Sequence, residues 1–474
     1  MAAGYCTPLS IAPGESVAWH ASGDGVVDVE VVRDGLEPHV VYLVRYVALP
    51  HQDVPDDAPE RGCGWDVVET IPTDESWEPG LHLVRVNGQP VGWFVVRRAP
   101  EAVVPERPLL VLATNTWNAY NEFGGRNLYT GATQLSFERP LALGLLSKPI
   151  GDGARVVTGA AYAEYTAVHE LSFWHGMAGW AGQERAFVRW AEREGIELDY
   201  AINADLERVA GLLDDREMYV SVGHDEYWSW GMRDAVESFV DAGGRAVFLS
   251  GNTCYWQVRL EDDVMVCFKH RYEEDPVFTG DDGHLTTTIW SDPALNRPET
   301  EMTGVTFTRG GYARTHRSVP RGSGGYEVHR PEHWLFEGTR VRRGDVIGGE
   351  HVVVGYECDG CDLEYVDGLP HATGRDGGPG TFEVLATSPA TPFDRDNTPL
   401  PLAPGGEYEL DFHARRLLGA ATRANCDALR NGHAVLGAFT RGRGSVVAVG
   451  CTEWAYGLDD PVIAQVTRNA LTVQ

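Results

Sequence analysis

A chain of 474 residues with 43% hydrophobic and 10% aromatic content has room for two or three domains and is not composed like a disordered protein. A formal charge of −30 and a pI near 4.8 argue against nucleic acid and anionic membrane surfaces as partners. Lys148 and Lys269 are the only lysines, which leaves little for Schiff-base or P-loop chemistry, and eight cysteines are too sparse for a disulfide scaffold.

No run of about 20 apolar residues marks a membrane span. Met1-Ala2-Ala3-Gly4-Tyr5 lacks the charged and apolar regions of a secretory signal, so the expected location is the cytoplasm, with reduced thiols. Residues 1–105 carry short alternating runs at Val26–Val32, Val40–Val47, Leu81–Val86 and Val91–Val96. Asn87-Gly88 is a strong hairpin signal between the last two. This spacing predicts a β-sandwich, immunoglobulin-like or lectin-like, with Pro100–Pro108 as the linker.

Residues 106–474 have another character. Leu109–Thr114 is a continuous apolar run of the kind found in buried parallel strands. After an irregular stretch, strands are expected at Leu198–Ile202, Met218–Val222 and Arg245–Leu249. Helices are expected at Glu184–Glu194, Leu206–Leu213 and Met232–Val240. That alternation predicts an α/β fold with a doubly wound parallel sheet. From about 270 to 415 it gives way to short β-like pieces such as Leu285–Trp290 and Val352–Glu357, read as a long β-rich insertion. It returns with strand Ser445–Gly450 and helix Pro461–Leu471.

The most informative stretch is Val220–Ser229. A β-branched run ends at Gly223, His224-Asp225-Glu226 follows, and Ser229 caps the next helix. Ligands bind outside the carboxyl ends of strands in open α/β sheets, which puts these side chains in position for chemistry. Thr116–Tyr129 follows the first parallel strand and belongs on the same edge, so Tyr120 and Tyr129 are candidates to meet His224 and Glu226. Asp225 alternates between its neighbours and is expected to hydrogen-bond the turn. Phenolate and carboxylate oxygens suit a hard, highly charged cation, and tyrosinate selects ferric iron over zinc.

Tyr120 in Asn-Ala-Tyr-Asn, the run Gly124–Tyr129, Arg139-Pro140, Gly223–Trp228, Gly251-Asn252 and Thr467-Arg468-Asn469 occur in this order. Over about 110–474 they resemble the catalytic large subunit of N,N-dimethylformamidase and its relatives. The resemblance implies a β-sandwich joined to a glutamine-amidotransferase-like α/β domain. It also implies amide C–N hydrolysis at a mononuclear iron held by two tyrosines and a glutamate, with a histidine nearby. Carried onto this sequence, the implied Fe3+ ligands are Tyr120, Tyr129 and Glu226, with Tyr162 and Tyr165 as alternatives for the second tyrosine. His224 is the implied general base. Asn121, Trp228 and Asn252, inside the matched motifs, are the candidate substrate-binding side chains. The expected partner is a small-molecule amide, with a second copy of the chain or a small partner subunit as further candidates.

Two rival functions remain. In one, the chain is a non-catalytic binding protein whose four candidate side chains do not converge. In the other, Cys254, following strand Arg245–Leu249, is the nucleophile of an amidotransferase-like enzyme. Cys358-Asp359-Gly360-Cys361 has redox or zinc spacing without a second pair to complete a site, and His169, His175 and His333 read as packing or loop residues.

Overall fold

The computed structural model describes residues 2–148, 155, 159–314, 322–398 and 408–472. Near the N-terminus, Ala3–Thr7, Ser16–Ser22 and Val67–Pro72 form one sheet. Ser10–Ile11, Gly25–Arg33, His39–Leu49, Gly80–Val86 and Gln89–Val96 form a second. Alternation along the strands turns one side-chain set inward. Cys6, Val17, Trp19 and Ile71 of the first sheet share a core with Val29, Val31, Val84 and Phe94 of the second. Asn87 and Gly88 both adopt positive φ, 51° and 77°, as a type I′ hairpin requires. Arg98–Asp199 at 2.9 Å and Arg185–Asp34 at 2.8 Å, with Trp93 against Trp117 at 5.0 Å, join these sheets to the rest of the chain.

The central sheet begins with β1 (Leu109–Leu112), followed by α1 (Thr114–Tyr120), α2 (Gln183–Arg193), β2 (Asp199–Ile202), β3 (Met218–His224), α3 (Trp230–Asp241) and β4 (Arg245–Gly251). Later elements are β5 (Tyr326–Val328), β6 (Val346–Ile347), β7 (Glu357–Gly360), β8 (Glu383–Ala390), α4 (Glu409–Leu418), β9 (Gly432–Arg441), β10 (Gly444–Ala448) and α5 (Pro461–Ala470). Sheet order is β2-β1-β3-β4-β10-β9-β8-β5-β6. The pairs from β2 through β10 are parallel and the remainder antiparallel. Both faces are covered, which is why the strands read as unbroken apolar runs. Leu110, Val220, Val247 and Val447 enter one core with Phe187, Trp190 and Ala191 of α2. Leu109, Tyr219, Ala246 and Val446 enter another with Met232, Val236 and Phe239 of α3.

Four local expectations change. The segment after β1 begins as helix α1, the helix expected over Leu206–Leu213 covers only Asp205–Arg208, Leu285–Trp290 follows the 3-10 turn Gly283–Leu285 and makes a single bridge, Trp256 to Ile289, and of Val352–Glu357 only Glu357 is strand. The stretch 270–415 is more than an insertion. Its β5, β6 and β8 extend the central sheet, and β7 pairs with Thr306–Tyr312 beside it. These strands are short and pair with partners far along the chain, so no local period announces them.

The core stores several ionisable groups in neutral form. Burial pushes Glu184 and Asp359 up to about 8 and Glu299 to about 7, and it pushes His82, His175 and His413 down to about 3. Between pH 6.5 and 8 the folded carboxyls hold protons that the unfolded chain has already lost, so stability falls as pH rises through this window. Below about 6.5 the unfolded histidines take up protons that the folded ones refuse, which opposes any further gain on acidification. Thermal unfolding followed across pH 5 to 9 is therefore expected to show a flat maximum on the acid side of 6.5 and a decline from 6.5 to 8. A midpoint that rises across that second interval would contradict this assignment.

Candidate active site

The carboxyl edge of β1, β3 and β4 carries the candidate residues, and local sequence explains how. Gly223 sits at φ 81°, where a Cβ would come within 2.8 Å of the Gln183 Cβ, so glycine alone lets β3 turn against α2. The Glu226 amide donates to Thr116 Oγ1 at 2.9 Å, locking the turn to α1, while the Glu226 carbonyl accepts from Tyr255 and Trp256 N–H at 2.9 Å. Asp225 accepts from Ser221 Oγ at 2.7 Å and Asn203 Nδ2 at 3.2 Å and faces away from the cavity, as the alternation predicts. Arg139 is buried and donates to the Asn118, Asn121 and Phe123 carbonyls, satisfying the open end of α1. Asn127 Nδ2 reaches the Tyr120 carbonyl at 3.3 Å and its Oδ1 accepts from Tyr129 N–H at 2.9 Å, so one amide sets the two tyrosines together.

The side chains converge. Tyr129 OH lies 2.6 Å from Tyr120 OH and 3.1 Å from both Glu226 oxygens, and Tyr120 OH lies 3.1 Å from Glu226 Oε2. His224 Nδ1 is 2.7 Å from the Met177 carbonyl, while its Nε2 is 3.3 Å from Glu226 Oε2 and 2.7 Å from Glu357 Oε2. Asn252 Nδ2 donates to the same Glu357 oxygen at 3.1 Å. The cluster opens on a cavity of about 410 Å³, with Tyr120, Tyr129, Glu226, Asn252 and Glu357 on its wall. The non-catalytic alternative required these side chains to lie apart.

Electrostatics follow from burial and neighbours. Burial opposes charge on His224, yet Glu357 and Glu226 hold it well above its ordinary 6.5. Both ring nitrogens face acceptors, so the imidazole is held as a doubly protonated cation. Burial works against the Glu226 charge too, but His224, Lys269 and Tyr129 keep this carboxyl below its ordinary value. Burial and then the Glu226 charge push Tyr120 and Tyr129 well above 10. Lys269, at φ 54°, places Nζ 3.4 Å from the Tyr129 ring centroid and 3.0 Å from Tyr227 OH, which donates to Tyr129 OH at 2.9 Å.

Three hard oxygen donors within 2.6–3.1 Å of one another make a set that fits a ferric ion, provided that both phenols give up their protons to it. Among the described residues no group of three or more His, Cys, Asp or Glu side chains is placed to hold a metal. The candidate set therefore depends on tyrosine.

Other expected residues lie elsewhere. Asn121 ties a loop, donating to the Pro140 carbonyl at 2.9 Å and accepting from Phe123 and Ala142 N–H. Trp228 packs with Tyr219 and Phe248 in the core and donates to the Asp225 carbonyl at 3.0 Å. Of the three substrate candidates only Asn252 reaches the cavity. The Tyr162 hydroxyl is taken by the Phe173 carbonyl and Gly176 N–H, and Tyr165 packs on His169. Cys254 is fully buried in the α3-side core, its thiol pushed well above 9 by burial, and it does not line the cavity. Cys358 and Cys361 are both free and buried, and His333 lines a different surface hollow. Sequence reasoning missed Glu357 and Lys269. Lys269 had one available signal, being one of two lysines in an acidic chain.

A sequence model described as N,N-dimethylformamidase beta subunit-like, C-terminal, matches residues 28–469. The N,N-dimethylformamidase beta subunit of Alcaligenes sp is 28% identical in an alignment over 199 residues that covers 37% of this chain and 24% of that protein. That of Paracoccus aminophilus is 27% identical over 199 residues, with the same shares. The match thus spans about a quarter of the length of these relatives, both of which are named as a beta subunit. No helix among the described residues is long and apolar enough to cross a membrane.

Proposed function

The chain belongs to the N,N-dimethylformamidase beta subunit-like family, and from that premise we propose that it hydrolyses the C–N bond of a formamide-like carboxamide at a mononuclear ferric iron held by Tyr120, Tyr129 and Glu226. The observation that carries this reading is the meeting of two phenols and a carboxylate, drawn from α1, its following loop and the β3 turn, on the wall of one cavity. When bound, the iron supplies Lewis acidity, polarising a carbonyl and lowering the pKa of water.

The chain's own residues divide the remaining work. His224, doubly protonated between the Met177 carbonyl and two carboxylates, has no free lone pair to act as the base first expected of it. Its charge instead helps to keep Glu226 ionised, and its Nε2 bonds Glu357 at 2.7 Å. Glu357, oriented by Asn252 Nδ2 and facing the cavity, takes the proton of the attacking water as that oxygen bonds to the carbonyl carbon. The same proton passes to the amide nitrogen as the C–N bond breaks, leaving a carboxylic acid and an amine. Lys269 and Tyr227 hold the Tyr129 hydroxyl toward Glu226. Because both relatives are named as subunits, assembly with a further chain or a second copy belongs to the proposal.

Metal analysis with an optical spectrum tests it. Purified protein is expected to contain about one iron per chain and to be coloured by tyrosinate-to-iron charge transfer, with the band weakened in Tyr129→Phe. Colourless, iron-free protein that still releases formate and amine from N,N-dimethylformamide would overturn the metal assignment.

A further inference from the structure

The cavity is much larger than the cluster at its base needs. About 410 Å³ is the share of about fourteen waters at about 30 Å³ each, several times what a one-carbon dimethylamide fills. Its wall is a continuous aromatic surface. Ring centroids step from Trp256 to Tyr255 at 4.8 Å, to Phe307 at 5.1 Å, to Tyr312 at 5.4 Å and to Phe393 at 3.6 Å. The surface meets the reacting cluster at two places. Tyr356 stands 5.7 Å from Tyr312 and 6.2 Å from His224, and Trp256 packs 4.9 Å from Lys269 Nζ.

Glu409, the first residue of α4, lines the cavity beside Tyr312 and Phe393. Its Oε1 accepts from Phe393 N–H at 3.0 Å and its Oε2 from Tyr312 OH at 3.2 Å, and each oxygen keeps a second lone pair for a ligand. Burial pushes Glu409 up to about 8, so near neutral pH its carboxyl carries no charge and offers the cavity a hydrogen-bonding group that suits a neutral guest. A flat guest gains edge and face contacts from such a surface beyond the area it buries.

We propose that this cavity takes amides whose amine half is an aromatic ring bearing a hydroxyl or amino group, the ring lying along Tyr255, Phe307 and Tyr312 and its donor meeting Glu409. This names the substrate class of the hydrolase reading and rests on it for the position of the amide. The bulk belongs on nitrogen because a formamide-like substrate leaves only a small acyl group on the other side of the scissile bond. Glu409 is then a specificity-determining residue.

Calorimetric binding to the intact protein separates this inference from the hydrolase reading, since it needs no turnover. 4-Hydroxyacetanilide is expected to bind about tenfold tighter than acetanilide, and acetanilide about tenfold tighter than N,N-dimethylacetamide. Glu409→Ala is expected to erase the first ratio and keep the second. Equal affinity for acetanilide and N,N-dimethylacetamide, or a hydroxyl gain that survives in Glu409→Ala, overturns the proposal. If that variant does not fold, the wild-type hydroxyl ratio decides alone, and a value near unity overturns it. Protein that turns over N,N-dimethylformamide yet ignores the ring keeps the hydrolase reading and loses this inference. Protein that prefers the hydroxylated ring but cleaves no amide does the reverse.

Discussion

Glu226→Ala is expected to lower kcat by about 10³-fold or more and to strip most of the bound iron. The carboxylate supplies the anionic oxygens that contact both phenols and the His224 cation, so its loss dismantles the candidate ligand set at its centre. Folding is expected to survive, because the Glu226 backbone keeps its bonds to Thr116, Tyr255 and Trp256. Circular dichroism and the unfolding midpoint therefore serve as controls. Glu226→Gln refines the result. It preserves shape and one acceptor oxygen but removes the charge, so loss of iron in both variants identifies charge as the requirement. Unchanged turnover in Glu226→Ala would sink the assignment.

Glu357→Gln produces the second large effect, with a different signature. Turnover is expected to fall by about 10² to 10⁴-fold while iron content and the visible band persist, because Glu357 moves a proton in the proposed cycle and does not hold the metal. The amide is nearly isosteric and can still accept from Asn252 Nδ2 and His224 Nε2, which protects the local structure. Substrate binding, read as KM, is expected to change little beside kcat. A Glu357→Gln enzyme with normal kcat would return the base role to another group. A variant that loses iron together with activity would make Glu357 part of the ligand set.

The two variants also differ in how visible their residues are before folding. Glu226 lies in a strand-turn-helix string whose strand is apolar and whose helix begins with a capping serine, so local sequence places it at a sheet edge. Tyr120 and Tyr129 follow the first strand by the same logic. Their convergence was an expectation of topology, and the 2.6–3.1 Å contacts give it geometry. His224 shows where that logic stops. Its presence in the site was legible, but a protonation state set by the Met177 carbonyl and a carboxylate far along the chain was not.

Glu357 and Glu409 carried no local signal. Glu357 opens a four-residue strand held by the Tyr312–Glu357 register, the Cys358–Cys451 bridge and the acceptance by Asp359 of the Asn252 and Thr253 amides. Each of these joins segments separated by dozens to hundreds of residues. Asn121 and Trp228 failed in the opposite sense: they belong to the matched motifs, yet their side chains are consumed in bonding the loop and filling the core.

Sequence alone therefore determined the elements whose causes are local: the buried strands, the capped helix α3, the Asn87-Gly88 hairpin and the edge on which two tyrosines and a glutamate stand. Tertiary structure alone decided which carboxylate faces His224, how the stretch 270–415 widens the sheet, and how large and aromatic the cavity is. The physical reason is range. Periodicity and capping act over a few residues and leave a trace in composition, whereas antiparallel register and cavity walls are set by contacts between distant segments, which no window of sequence contains.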